Sequence, residues 1–105
     1  MNLNKQETLT VAQTILEQLG GRRFQLMTGA KGFLATANGG LRFSLPRGFA
    51  KDGITLVQVD LTDLDLYNVQ GFNAKGEPRG VGSDGVYNDQ LQAAFTRLTG
   101  LETRL

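Results

Sequence analysis

The chain has 105 residues, of which 40% are hydrophobic and 20% charged, and it contains 14 glycines but no histidine or cysteine. This composition is typical of a globular protein, so we expect a single domain over residues 1–105. Eleven Lys and Arg against ten Asp and Glu leave a net charge of +1, which provides no overall field to attract nucleic acid. The missing residues exclude an imidazole base, a thiol nucleophile, a disulfide and the usual zinc ligands.

No apolar run approaches the roughly 20 residues that a membrane-spanning helix needs. The polar start of the chain also lacks the apolar core of a signal peptide. We therefore expect a cytoplasmic protein without a membrane partner.

The first predicted element is a helix over residues 8–19, where apolar side chains recur every three or four positions. We expect it to end at Gly20-Gly21, because glycine readily adopts the left-handed conformation on which helices terminate.

The spacing of apolar residues then changes to two, which is the period of a strand. Asn38-Gly39-Gly40 predicts a tight hairpin turn between two of these strands, and Pro46 ends the second of them by removing a backbone donor. The five predicted strands are Arg23–Met27, Phe33–Ala37, Leu41–Leu45, Ile54–Leu61 and Leu64–Phe72.

Residues 73–85 contain four glycines and one proline, and we interpret them as a loop. Ser83 or Asp84 is expected to cap a final helix that ends at Gly100, with leucines 101 and 105 packing back on the core. Its predicted apolar stripe consists of Tyr87, Leu91, Ala94, Phe95 and Leu98. The predicted fold is α+β, an antiparallel meander of about five strands with both terminal helices on one face. The other face is expected to be solvated and to display Arg23, Gln25, Thr36, Arg42 and Ser44.

Gly80 to Gly85 spell the dinucleotide-binding pattern G-x-G-x-x-G, but no second strand follows to complete a βαβ unit. We therefore predict no cofactor. A weaker alternative remains, in which free N–H groups near the helix start hold a phosphate or carboxylate together with neighbouring cations. Its candidate residues are Lys75, Arg79, Gly82 and Ser83.

Two patterns leave an enzymatic alternative open. Asp60, Asp63 and Asp65 could supply oxygen ligands to Mg²⁺ or Ca²⁺, although a turn with solvated carboxylates explains them as well. The two serines, Ser44 and Ser83, have no histidine to activate them, which leaves a Ser-Lys arrangement as the formal alternative for nucleophilic catalysis. We expect a binding protein rather than an enzyme.

Basic residues are concentrated in one part of the chain. Residues 21–53 contain six cations and a single acid, Asp52, so this stretch carries a local charge of +5. A basic sheet face with basic loops at its rim would bind phosphates, whereas the alternative is a solvated face whose charges discourage edge pairing. The candidate nucleic-acid-binding residues are Arg22, Arg23, Lys31, Arg42, Arg47 and Lys51. Phe33 and Phe49 are near enough in sequence to stack on bases, although a phenylalanine more commonly packs in the core.

Several segments after residue 22 resemble a family of short, mostly uncharacterised proteins of bacterial phages, prophages and conjugative elements. The matching residues are Met27-Thr28-Gly29-Ala30-Lys31, Phe33, Leu41, Phe43, Leu45-Pro46, Asp65-Leu66-Tyr67, Tyr87, Asp89, Leu91, Phe95-Thr96, Thr99-Gly100-Leu101, Thr103 and Leu105. The resemblance implies a mobile-element origin and supplies no catalytic residues. Such elements encode many proteins that handle DNA or counter host defence.

Three hypotheses follow. The first is a non-enzymatic accessory protein that binds DNA or RNA through the basic sheet face and loops. The second is a protein-interaction module or inhibitor of a host factor, without affinity for nucleic acid. The third is a small Mg²⁺- or Ca²⁺-dependent enzyme that uses the three aspartates. A homodimer formed by pairing of an open edge strand is compatible with each.

Overall fold

The computed structural model describes residues 3–103 and begins with two consecutive helices. Helix α1 spans Lys5–Leu19 and is capped by Asn4, whose side chain accepts from the Glu7 N–H while the Glu7 carboxylate accepts from the Asn4 N–H. This reciprocal capping box explains why the helix begins three residues before the predicted start at Thr8. Helix α2 spans Gly21–Thr28.

Five strands form one antiparallel sheet in the order β1-β2-β3-β4-β5, so each strand pairs with the next along the chain. The predicted α+β meander with helices from both termini is confirmed. The strands are β1 Lys31–Thr36, β2 Gly40–Ser44, β3 Leu56–Leu61, β4 Tyr67–Phe72 and β5 Pro78–Val86. The hairpin at Asn38-Gly39-Gly40 connects β1 to β2 as predicted, with Gly39 at φ 93°.

Two predicted segments were wrong: one predicted strand is helical, and one predicted loop contains a strand. The number of strands is therefore still five. Residues 23–27 belong to α2 and not to a strand, because Phe24 and Thr28 are buried one helical turn apart while Leu26 is exposed. The predicted loop at 73–85 contains β5, whose extra residues form bulges against β4. Gly80 and Gly85 have φ values of 79° and 67°, which explains how a glycine-rich segment remains in the ladder.

Helix α3 spans Leu91–Thr99 after a 3-10 turn at Asn88–Gln90, and Gly100 ends it as predicted. The predicted start was wrong, since Ser83 and Asp84 lie in β5 and do not cap a helix. Four of the five predicted stripe residues are buried, and Tyr87 is exposed. Leu101 packs against the core, whereas Leu105 lies outside the described residues.

The core is one continuous cluster between the sheet and the helices. At its centre Phe24 from α2, Phe43 from β2 and Phe95 from α3 contact one another, with ring centroids 5.0 to 6.0 Å apart. The three helices therefore cover the same face of the sheet. No helix in the described part of the chain has the length and apolarity needed to cross a bilayer.

Candidate nucleic-acid interface

The uncovered face of the sheet is polar but carries little net charge. Arg42 on β2 donates to the Gln58 amide oxygen at 2.8 and 3.2 Å, and the Gln58 amide nitrogen donates to both carboxylate oxygens of Asp60 at 3.0 and 3.2 Å. The Arg42 guanidinium is thus linked through one amide to an acid on the same face. Arg42 is therefore already partnered by the Gln58 side chain on this face.

The prediction that Arg23 and Arg42 share the uncovered face was wrong. Arg23 lies on α2, whose Phe24 packs on Phe43, and Arg42 is the neighbour of Phe43 on the opposite face of β2. Arg22, Arg23 and Gln25 therefore belong to the helical side. Thr36, Arg42 and Ser44 do lie on the uncovered face, as expected from their alternation along β1 and β2.

The register of the meander brings five basic residues to one end of the sheet. Lys31 opens β1 and pairs with Ser44 at the close of β2, while Phe72 at the close of β4 pairs with Pro78 at the start of β5. The β2–β3 loop and the β4–β5 turn extend from this same end. We define the basic end by five exposed residues, Lys31, Arg47, Lys51, Lys75 and Arg79.

Charge is separated between the two ends of the sheet. Beside its five cations the basic end has two acids, Asp52 and Glu77, which leaves a net charge of +3. The other end consists of the segments 37–39, 60–67 and 84–90, which contain no lysine or arginine. We call it the acidic end, after its residues Asp60, Asp63, Asp65, Asp84 and Asp89.

Three of the five cations meet in one groove. Arg47 from the β2–β3 loop lines it together with Lys75 and Arg79 from the β4–β5 hairpin, and its volume is about 320 Å³. Glu77 also lines the groove and forms an ion pair with Arg79 at 3.4 Å. Arg47 belongs to the predicted nucleic-acid-binding residues, whereas Lys75 and Arg79 belong to the predicted anion-binding loop. The groove therefore contains residues from both predicted sites.

Asn73 shapes the turn that presents Lys75. Its side-chain oxygen accepts from the N–H groups of Lys75 and Glu77, both at 2.9 Å, and its amide nitrogen donates to the Glu77 carboxylate at 2.9 Å. Such bonds hold a turn in one conformation. Lys51 is positioned differently, since its aliphatic stem passes beside Gly100 at the C-terminus of α3, where a cation is favoured by the helix dipole.

Phe49 is the exposed aromatic residue of the basic end. It lies in the β2–β3 loop between Arg47 and Lys51, and 63% of its surface is accessible. Leu45 before it and Ala50 after it are buried and anchor the loop on both sides of Phe49. Phe33 packs against Phe43 with 5.5 Å between ring centroids. Of the two phenylalanines considered for base stacking, only Phe49 is therefore free to do so.

The remaining predicted site residues are dispersed. Ser83 pairs with Val69 inside the β4–β5 ladder and accepts a hydrogen bond from Arg97 at 3.2 Å, whereas Lys75 lies in the turn beyond the Phe72–Pro78 pair. Gly82 and Ser83 therefore do not form a site with Lys75. The G-x-G-x-x-G pattern lies inside β5, and not at a strand-to-helix turn. Within residues 3–103 no group of three or more acidic side chains is arranged to hold a metal ion. The metal-site hypothesis for Asp60, Asp63 and Asp65 therefore has no support.

Comparisons with protein-family models, with curated proteins and with solved structures find no match to this chain.

Proposed function

We propose that the protein is a cytoplasmic, non-enzymatic module that binds single-stranded nucleic acid through the basic end of its sheet. The observation that carries this proposal is the convergence of Arg47, Lys75 and Arg79 on one groove, together with the exposed Phe49, which follows Arg47 by two residues in the same loop. Cations that neutralise phosphates and aromatic rings that stack on bases are the two components of single-strand recognition.

The dimensions of the basic end suit a short stretch of single-stranded nucleic acid. Its cations are distributed from Lys31 on β1 to Arg79 on β5, across four inter-strand gaps of about 4.8 Å, or about 19 Å in total. A span of this size accommodates several nucleotides, comparable with the shorter sites of known single-strand binders. The phosphates of the nucleic acid would lie along the cations from Lys31 to Arg79, while an unpaired base stacks on Phe49.

A single strand suits this site better than a duplex. The cations lie on loops, strand ends and a 3-10 turn rather than on a helix that could enter a major groove, and α3 meets Lys51 at its C-terminal end, beside Gly100. Phe49 also requires an accessible base face, which a stacked duplex does not offer.

The experiment is a fluorescence-anisotropy titration of a labelled single-stranded oligonucleotide over a series of salt concentrations. The double variant R47A/K75A is compared with R22A/R23A, which also removes two exposed positive charges but from helix α2. We expect R47A/K75A to weaken binding and to reduce the salt dependence of log K by about 1.4, because each phosphate contact contributes about 0.7. R22A/R23A should leave that slope nearly unchanged.

Two results would contradict the proposal. One is the absence of binding to single-stranded DNA or RNA at low salt. The other is equal weakening by the two double variants, because it would indicate attraction to net charge rather than to the basic end. Circular dichroism of both variants establishes that the fold is retained.

The second candidate is a protein-interaction module or host-factor inhibitor, and the neutral, amide-rich uncovered face favours it. Gln58 and Gln70 pair across β3 and β4 on this face, and Leu34, separated from Gln58 by Arg42 in the same cross-strand row, is exposed. A stoichiometric protein partner that remains bound after nuclease treatment of a host lysate would support this candidate. The mobile-element origin implied by the sequence resemblance is compatible with both candidates and stays a prediction.

A further inference from the structure

Strand β1 is an open edge of the sheet, and only part of it is protected against pairing. An extra residue at Gly32 and Phe33, together with the exposed Lys31, disrupts the first half of the strand. The second half, Leu34–Thr36, is paired regularly with β2 and carries no charge. Its outer backbone groups are accessible to another strand.

Apolar side chains flank this half-strand on both faces. Leu34 lies on the uncovered face and is 62% exposed. On the helical face a groove of about 340 Å³ separates β1 from α1, and its apolar lining includes Leu9, Leu16, Phe33 and Ala35. An edge with exposed apolar residues above and below it is typical of an interface.

The opposite edge of the sheet is better protected. Strand β5 begins with Pro78 and is interrupted by bulges at Gly80 and Gly85. Bulges and an edge proline both discourage pairing with another strand. Strand β1 is therefore the edge of the sheet to which another strand can be added.

We infer that the partner at this edge is a second copy of the same chain, with the two β1 strands antiparallel across a two-fold axis perpendicular to the sheet. Charge complementarity favours this occupant. Reversing one copy places its basic end beside the acidic end of the other, so the separation of charge along the strands becomes attractive.

The two-fold axis keeps both helical layers on the same side of a continuous ten-stranded sheet. Leu34 of each copy lies close to the axis on the uncovered face, and the two α1 helices approach each other on the helical face. Arg47 and Phe49 remain outside the interface, because the β2–β3 loop is displaced from the β1 edge. Lys31 is the residue of the basic end that lies on β1, whereas the groove lined by Arg47, Lys75 and Arg79 lies away from this edge, so different variants test the dimer and the nucleic-acid site.

Sedimentation velocity over a range of protein concentrations tests the dimer. We expect the wild-type chain to dimerise reversibly, L34K to sediment as a monomer and V81K to behave as wild type. Val81 is a matched control because it lies on the other edge strand and is 64% exposed. Since both side chains are exposed, neither variant should unfold, and thermal denaturation checks this.

The absence of native cysteine permits a second test. A short bis-maleimide should cross-link the single-cysteine variant L34C into a covalent dimer, and should leave V81C largely monomeric. A wild-type chain that remains monomeric at every concentration, or cross-linking of V81C as efficient as that of L34C, would overturn the inference.

Discussion

Phe24 packs edge to face on Phe43, with 5.4 Å between ring centroids and an angle of 86° between the ring planes. This contact attaches helix α2 to the centre of the sheet. We expect F24A to lower the free energy of unfolding by about 3–5 kcal/mol, because it leaves a cavity between two other aromatic rings. L26A in the same helix removes an exposed side chain and should cost little. Urea denaturation measures both, and equal losses would contradict the packing described.

Phe49 should contribute to binding without contributing to stability. We expect F49A to weaken the complex with a single-stranded oligonucleotide by about 1–3 kcal/mol, the usual value for one stacked base. F49W should retain affinity. Tyr87 is a matched control, since it is 62% exposed but lies at the acidic end, and Y87A should bind as wild type. Anisotropy titrations give the affinities, and an F49A protein with unchanged affinity would exclude stacking at this position.

Asn73 should link the shape of the β4–β5 turn to binding. N73A removes the acceptor of two backbone N–H groups, and we expect a loss of stability of about 1 kcal/mol together with weaker oligonucleotide binding. Asn38 occupies the β1–β2 turn and its exposed side chain offers the matched control N38A. Full affinity in N73A would show that the turn does not position Lys75 for binding.

Tyr67 should make stability sensitive to alkaline pH. Burial raises the pKa of its phenol above 10.0, the Gln18 side chain opposes the rise, and the Asp65 carboxylate adds to it. The folded state therefore holds this proton more tightly than the unfolded state does. The resulting stability is fully present below pH 10 and is lost as the pH rises through the folded-state pKa.

The test for Tyr67 is denaturant unfolding at a series of pH values above 9. We expect Y67F to lose stability less steeply than wild type over that interval, since phenylalanine has no proton to release. The chain has two tyrosines, and Y87F is the control that should retain the wild-type decline. An unchanged pH profile in Y67F would contradict the assignment.

The fold class could be predicted because α1 is long and periodic, and because the Asn38-Gly39 turn identifies the alternating segments on either side of it as strands β1 and β2. Residues 23–27 are too short for this, since five residues with Phe24 and Leu26 two apart fit a strand as well as part of a helix. Strand β5 was concealed by its glycines, because its bulges depend on pairing with β4 rather than on local preference.

The candidate site was only partly predictable for a related reason. Arg47 and Lys75 were both recognised as basic candidates, but their convergence follows from strand register, which composition does not reveal. The charge excess of residues 21–53 was read as one surface, whereas the fold divides it among α2, the uncovered face and the basic end. Phe49 was considered for stacking, and burial alone distinguishes it from Phe33.

The connection of each strand to its sequence neighbour has a consequence for the order of folding. A sheet with this connectivity can assemble one hairpin at a time, so each step closes a short loop at a small entropic cost. The contact between α1 and α3 is different, since Gln92 donates to the Leu19 carbonyl across 73 residues of chain. The contact between α1 and α3 therefore carries a larger loop-closure cost than any hairpin of the sheet.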